Sequence, residues 1–230
     1  MEGDLTDLGD THSEPMLLQN SPYSDAVEFK NLMKYANQNF KILSLNCQSL
    51  NAKFELLKTY IDYYNDSTSK LDAICLQESW LTADSDLSLF QLPRYNKISV
   101  GRSCSAHGGV CIYLKEIYEY NVINLSVSSE LWDGQLLEIS VTDKHDINKK
   151  LVIGNFYRLP RATSENIKNF IEDMNCIFDQ LNRYKYVVIT GDFNINLLNF
   201  KQNSSTNDFL NDIISNGYLP KITVPTWRTQ

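Results

Sequence analysis

Two textures alternate along the 230-residue chain. Short runs of β-branched and other apolar residues read as strands, and longer stretches with apolar positions three and four apart read as helices. "FKILSL" (40–45) predicts a strand running into a polar turn. "NAKFELLKTYIDYY" follows, with Phe54, Leu57, Tyr60, Ile61 and Tyr64 at helical spacing. "AICLQ" (73–77) is a second strand that ends in polar residues. Further strands are predicted at 95–100, 109–114, 119–127, 134–141 and 150–157. "TSENIKNFIEDMNCIFDQLNRY" predicts an amphipathic helix capped by Thr163 or Ser164. Its buried stripe is Ile167, Phe170, Ile171, Met174, Ile177, Phe178 and Leu181. "KYVVIT" (185–190) is the next strand, and "STNDFLNDIISNGY" a helix ending at Gly217. Near the N-terminus, Ser24 is a candidate cap for a helix through about Gln38, with Val27, Leu32, Met33 and Tyr35 as its apolar positions.

Three regions result. Residues 1–22 are polar, acidic and turn-rich and read as a disordered leader. Residues 23–39 form a helix or linker, and 41–230 one domain. Helices alternate with strands at both ends of that domain while its middle is nearly all strand. The expectation is an α/β architecture of mixed sheets covered by helices on their outer faces. Strands that are continuously apolar are expected to be buried on both sides. Three of them finish in polar residues: Asn46 after "KILSL", Glu78 after "AICLQ", and Asp192 with Asn194 after "YVVIT". Polar groups gathered at strand ends are how a rigid α/β scaffold presents a site.

Composition narrows the class. Hydrophobic residues make up 43% and charged residues 21%, as in ordinary globular proteins. No apolar window approaches the ~20 residues of a membrane span, and the acidic start lacks the basic and apolar regions of a secretory signal. The five cysteines, Cys47, Cys75, Cys104, Cys111 and Cys176, are scattered and form no C-x-x-C pair. They read as reduced thiols of an intracellular protein, cytoplasmic or nuclear. The net charge of −7 is concentrated at the start: residues 1–40 hold seven acidic side chains and two lysines, leaving 21 acidic against 19 basic in the rest. A nuclease that holds a divalent cation tolerates that balance, since the ion supplies positive charge at the phosphate. A sequence-independent coating protein would be more basic.

Hard divalent cations such as Mg²⁺ take oxygen ligands, usually one or two carboxylates, and keep waters for substrate phosphates. Glu78 and Asp192 are such carboxylates, and Asn46 and Asn194 add amides that steer a phosphate or a water without adding charge. The alternation Asp192-Phe193-Asn194 predicts both polar side chains on one face. A plain turn after a strand accounts for Asp192 and Asn194 equally well, and for Asn46 or Glu78 alone it accounts better.

Together, "LSLNCQSL", "ICLQESWL", "GGVCIYL", "VIGNFYRLP" and "VVITGDFNINLL", in this order, resemble the endonuclease/exonuclease/phosphatase superfamily over residues 41–230. Within it they look most similar to the apurinic-type endonuclease domain of non-LTR retrotransposons of the jockey and chicken-repeat kind. The resemblance implies a four-layer α/β sandwich, two mixed sheets face to face with helices outside. It also implies DNA as substrate and Mg²⁺, or Mn²⁺ in its place, as cofactor for hydrolysis of a phosphodiester to a 3′-hydroxyl. A reverse transcriptase is the implied partner domain of an intact frame, and the chain itself would be a monomer. By motif, Glu78 resembles the principal metal ligand and Asn46 its neighbour. Tyr157 resembles the tyrosine that contacts the scissile phosphate, Asp192 the residue that orients or deprotonates the attacking water, and Asn194 a group stabilising the phosphate. Arg158, Trp227 and Arg228 are the candidate DNA contacts, with a solvated loop arginine an equal reading of Arg158.

The departures bear on activity. The family's catalytic histidine, with its aspartate partner, belongs beyond a "PTWRT" segment, and here the sequence ends at Gln230 just after "VPTWRTQ". His12, His107 and His145 do not match that motif and read as surface residues. The last strands are therefore expected to be missing, leaving an unpaired sheet edge with exposed apolar surface, and little or no nuclease activity is expected of residues 1–230. The alternatives are a domesticated, non-catalytic binding protein of the same fold, or a sister phosphatase or sphingomyelinase.

Overall fold

The computed structural model describes residues 23–35, 39–65, 70–82, 84–101, 107–143, 146–160 and 163–222, with 224 and 226. The leader 1–22, together with His12, Cys104, His145, Trp227 and Arg228, lies outside them. Within the described residues the chain builds two four-stranded mixed sheets, each with helices on its outer face. The first contains β1 (Ile42–Asn46), β2 (Ala73–Gln77), β3 (Tyr95–Val100) and β4 (Val110–Lys115) in the order β1-β2-β4-β3. The second contains β5 (Tyr120–Ile123), β6 (Trp132–Asp143), β7 (Asp146–Arg158) and β8 (Tyr186–Asp192) in the order β5-β6-β7-β8. Each sheet has one parallel pair, β1 with β2 and β7 with β8. These pairs are the ones joined by a helix: α2 (Leu50–Tyr64) links the first and α3 (Ser164–Leu181) the second. Parallel neighbours need such a crossover, so the helices predicted from periodicity dictate where the sheets run parallel.

The strand pleat sorts the apolar residues into three layers. Ala73, Cys75, Ile112 and Leu114 meet Leu137, Ile139 and Ile153 between the sheets. On the outside of the first sheet, Ile74, Leu76, Cys111 and Tyr113 pack with Leu50, Phe54, Leu57 and Ile61 of α2. On the outside of the second, Leu136, Val152 and Phe156 pack with the predicted stripe of α3 and with Phe209 of α4 (Ser204–Ser215). Helix α4 closes as the sequence suggests. Gly217 takes a positive φ of 80°, its N–H donates to Ile214 O and that of Tyr218 to Ile213 O, which satisfies two carbonyls of the last turn.

Local details differ from expectation at the N-terminus and in the second sheet. Helix α1 (Ala26–Tyr35) is capped by Asp25, whose carboxylate accepts from Val27 N and Glu28 N while Glu28 reaches back to Asp25 N. Asp25 with Glu28 is a reciprocal capping box, which Ser24 cannot form. Met33 is the residue α1 buries, with Phe29 half-buried beside it, whereas Val27 and Leu32 face outward. The predicted strand 119–127 shrinks to Tyr120–Ile123, and β8 extends two residues further, to Asp192.

A polar cluster crosses the apolar layer between the sheets. Gln77 Nε2 on β2 donates to Asn155 Oδ1 on β7 at 2.5 Å, and Asn155 Nδ2 donates back to Leu76 O at 3.0 Å and Cys111 O at 3.2 Å. Both residues are buried. Asn155→Val keeps approximate volume but removes the shortest partner of the Gln77 amide, which is left with Ser44 Oγ at 3.2 Å and Cys75 O at 3.3 Å. A hydrogen bond of this kind contributes about 0.5–1.5 kcal/mol net, so urea unfolding should show a loss of that size at unchanged m-value. An unchanged midpoint would mean that the bridge contributes nothing to stability.

Candidate functional site

The site begins from register. Asn46, the last residue of β1, is level with Gln77 of β2, so Glu78 projects just beyond the strand ends. In the other sheet Tyr157 of β7 is level with Asp192 of β8, and Asp133 of β6 is level with Tyr157. Asn155 points between the sheets, and the pleat therefore sends Tyr157, two residues on, and its neighbours Asp133 and Asp192 to that same side. The two sheets converge here at the ends of their parallel strands.

Asn46 joins them. Its Nδ2 donates to Glu78 Oε1 at 2.6 Å and to Asp192 Oδ2 at 2.8 Å. The amide N–H₂ places partial positive charge between two carboxylates that would otherwise repel each other. The second oxygen of each carboxylate is engaged as well. Trp80 Nε1 donates to Glu78 Oε2 at 3.3 Å, and Asn194 N to Asp192 Oδ1 at 3.1 Å. Asn46 is oriented in turn by Gln48 N, which donates to its Oδ1 at 3.1 Å.

Backbone geometry holds these groups in place. The segment leaving β1 continues along the end of β2, with Cys47 N donating to Gln77 O, Ser49 N to Glu78 O and Leu50 N to Ser79 O, each at 2.9 Å. Ser49 then caps α2 by accepting from Ala52 N. The non-glycine residues with positive φ are Gln48, Ser49, Glu78, Trp80 and Asn194 here, and among the described residues only Arg94 elsewhere. Such conformations cost of order 1 kcal/mol or more each and persist only where surroundings over-determine them. Gly191 answers why "GDFN" opens with glycine: at φ 156° a Cβ there would overlap the Phe156 carbonyl of the neighbouring strand. Across the mouth, Gly109 N donates to Asp133 Oδ2 at 2.9 Å, and the edge of the His107 ring system meets Trp80 at a centroid distance of 4.5 Å.

The sequence-derived candidates thus divide. Asn46, Glu78 and Asp192 come together. Tyr157 lies beside Asp192 and is 4% exposed, so little of it reaches solvent. Asn194 is not part of the cluster: its side chain turns away to donate to Arg158 O at 2.6 Å, because the positive φ of 49° at this residue breaks the strand alternation assumed for Asp192-Phe193-Asn194. Arg158 requires correction too. It is 1% exposed, on the outer face of β7 under Phe170, and cannot meet a DNA phosphate as placed. Burial lowers its pKa from the usual arginine range, opposed by the nearby Asp192 charge. Trp227 and Arg228 are outside the described residues. Sequence reasoning passed over Gln77, Asn155, Trp80 and Asp133. For the first two a signal existed, a single amide inside an otherwise apolar strand, which a buried strand carries only where it has a partner.

The two carboxylates are oxygen donors of the kind Mg²⁺ takes, and the Asn46 carboxamide faces them with its Nδ2 while its oxygen accepts from Gln48 N. Among the described residues no three His, Cys, Asp or Glu side chains gather into a ready-made cage. The donor set suits an ion that leaves most of its coordination to water and substrate, as Mg²⁺ does. No helix among the described residues is long and apolar enough to cross a membrane.

Comparisons with known proteins agree with this architecture. No curated protein sequence matches the chain. Among solved structures, a 3′-5′ exonuclease from Neisseria meningitidis superposes with a TM-score of 0.56 at 16% identity, covering 77% of this chain and 71% of that one. An AP endonuclease from Archaeoglobus fulgidus gives 0.53 at 14% identity, covering 77% and 70%. A mannosyl-6-phosphatase from Bacteroides thetaiotaomicron gives 0.51 at 18% identity, covering 75% and 70%. At such identities the likeness is one of fold. The model of the endonuclease/exonuclease/phosphatase family matches residues 43–230, most of the chain, and the chain belongs to that family.

Proposed function

We propose that the cluster at the strand ends is the cation and water-activating site of a Mg²⁺-dependent phosphodiester hydrolase acting on DNA, of the non-LTR retrotransposon endonuclease type. The observation that carries this reading is Asn46 held between Glu78 and Asp192 at 2.6 and 2.8 Å, one carboxylate from each sheet. The printed activities of two structural relatives, a 3′-5′ exonuclease and an AP endonuclease, support a nucleic-acid substrate.

Glu78 would hold the ion, with Asn46 as the neighbour that places its carboxylate, and when bound the ion supplies positive charge against a phosphoryl oxygen. Asp192 accepts the proton of an attacking water. The water oxygen bonds to phosphorus, the bond from phosphorus to the 3′-oxygen breaks, and that oxygen takes up a proton from solvent water, leaving a 3′-hydroxyl and a 5′-phosphate. Trp80 and Asn46, each donating to Glu78, fix its carboxylate before substrate arrives, so little reorganisation remains at the moment of reaction. Among the described residues, the histidine that resembling enzymes employ has no counterpart in this cluster: His107 lies against Trp80. Residues 1–230 should therefore turn over slowly.

Two measurements on purified residues 1–230 test this reading. Mn²⁺ binding followed by electron paramagnetic resonance should weaken at least about tenfold in Glu78→Ala, the worth of a charged ligand contact. Undiminished binding would sink the ligand assignment. Supercoiled-plasmid nicking should be weak, require Mg²⁺ or Mn²⁺, and vanish in Asp192→Ala; nicking that survives in the variant would belong to a contaminant or to another site. Hydrolysis of a phosphomonoester in preference to plasmid would redirect the proposal to the phosphatases of the family.

A subtler change addresses the indole. Trp80→Phe keeps an aromatic ring and removes the indole N–H that donates to Glu78 Oε2. One such hydrogen bond is worth about 0.5–1.5 kcal/mol, so Mn²⁺ affinity should fall roughly three- to tenfold. Equal affinity in the two proteins would show that Trp80 does not orient Glu78.

A further inference from the structure

Arg158 is a buried cation that the reaction as described does not use. Its Nε donates to Phe193 O at 2.6 Å and its Nη2 to Asn194 O at 2.8 Å, while Asn194 Nδ2 returns a bond to Arg158 O at 2.6 Å. Its guanidinium carbon lies 5.8 Å from the centre of the Phe170 ring. The three bonds close a clamp between the end of β7 and the turn that follows β8. That turn is the one bearing Asp192, whose Oδ1 accepts from Asn194 N at 3.1 Å and whose Oδ2 accepts from Asn46. A continuous chain of contacts therefore runs from Arg158 through Asn194, Asp192 and Asn46 to Glu78.

We propose that Arg158 is a positioning residue for Asp192: its planar fork fixes the 193–194 carbonyls, and through them the carboxylate that faces Asn46. The inference rests on the reading of Asp192 as the water-activating group. Three features favour it over simple core packing. Both successive carbonyls are engaged by one guanidinium, a geometry that lysine, with a single ammonium, cannot reproduce. Asn194 sits at φ 49°, a conformation that needs an external restraint. Phe193, which bears the first of the two anchored carbonyls, packs against Phe170 and Phe209 at centroid distances of 6.0 and 5.7 Å, so its side chain restrains the same turn.

The test uses residues 1–230 in three forms, wild type, Arg158→Lys and Arg158→Ala, with Asp192→Ala as reference. The first readout does not depend on activity. The Asn46 side-chain amide pair, identified in a ¹H–¹⁵N spectrum by its loss in Asn46→Ala, reports whether Asp192 still accepts its proton. Arg158→Ala should shift this pair towards its position in Asp192→Ala, while backbone amides of β2 keep their positions. Arg158→Lys, which preserves the charge and most of the volume, should shift it the same way by a smaller amount. If Arg158→Ala does not fold, the lysine variant decides alone.

The second readout is nicking. The rate constant should fall about a hundredfold in Arg158→Ala, the usual effect of misplacing a reacting group by an ångström, with KM unchanged and partial recovery in added guanidinium. An Asn46 amide pair in Arg158→Lys identical to wild type would overturn the proposal, because a cation without the fork would then suffice. Absence of any Asp192-dependent nicking in the wild type would instead count against the reading of the site, and the spectrum would still decide what Arg158 does.

Discussion

The hydrogen bond between Gln77 and Asn155 is the constraint on which the rest of the molecule depends. Apolar layers are non-directional, and a sandwich held only by Ala73, Cys75, Ile112 and Leu114 against Leu137, Ile139 and Ile153 could settle at more than one offset. Two amides that must find each other in a dry interior favour one offset, since a miss takes from the Asn155 side chain every partner it has in the facing sheet. Gln77 immediately precedes Glu78, and Asn155 lies two residues before Tyr157 on the strand that flanks Asp192. Fixing that pair fixes how far apart the two carboxylates sit. The 2.6 and 2.8 Å contacts of Asn46 are the outcome of that registration one layer further out.

Strain is distributed accordingly. The strands and helices are relaxed, and the positive-φ residues gather in the segments that leave β1, β2 and β8. Each such residue aims a neighbouring polar group inward: Ser49 starts α2, Glu78 and Trp80 meet across one carboxylate, and Asn194 locks onto Arg158. Stability invested in the three apolar layers offsets this local cost, a division common at functional sites. The open side of the molecule is also here. β1 and β8 are the outer strands of their sheets among the described residues, with Leu45 43% and Val188 37% exposed.

Much of this was legible in the sequence, for definite reasons. Strand and helix identities followed from period, and the layering followed from which strands were apolar throughout. Asn46, Glu78 and Asp192 were visible because each ends an apolar run. Arg158 and Asn194 were misread because a sequence shows alternation but not the point at which a turn breaks it. One positive φ at residue 194 sends its amide to the wrong side for phosphate and gives Arg158 a buried partner. Gln77 and Asn155 lie in different sheets, 78 residues apart, and no local pattern couples them. The α1 cap turned on a choice between adjacent residues, and Asp25 won because Glu28 stands three positions later to reciprocate.

The central proposal is that the two sheets deliver one carboxylate each to a single cleft, Glu78 to hold a cation and Asp192 to activate a water. Anomalous diffraction from crystals of this chain soaked in Mn²⁺ tests it most directly. The account predicts a single strong peak at the ends of β1, β2 and β8, within coordination distance of Glu78 and next to the Asn46 side chain. A peak only at surface acidic residues of the helices, or none in the cleft between Glu78 and Asp192 at saturating Mn²⁺, would contradict it.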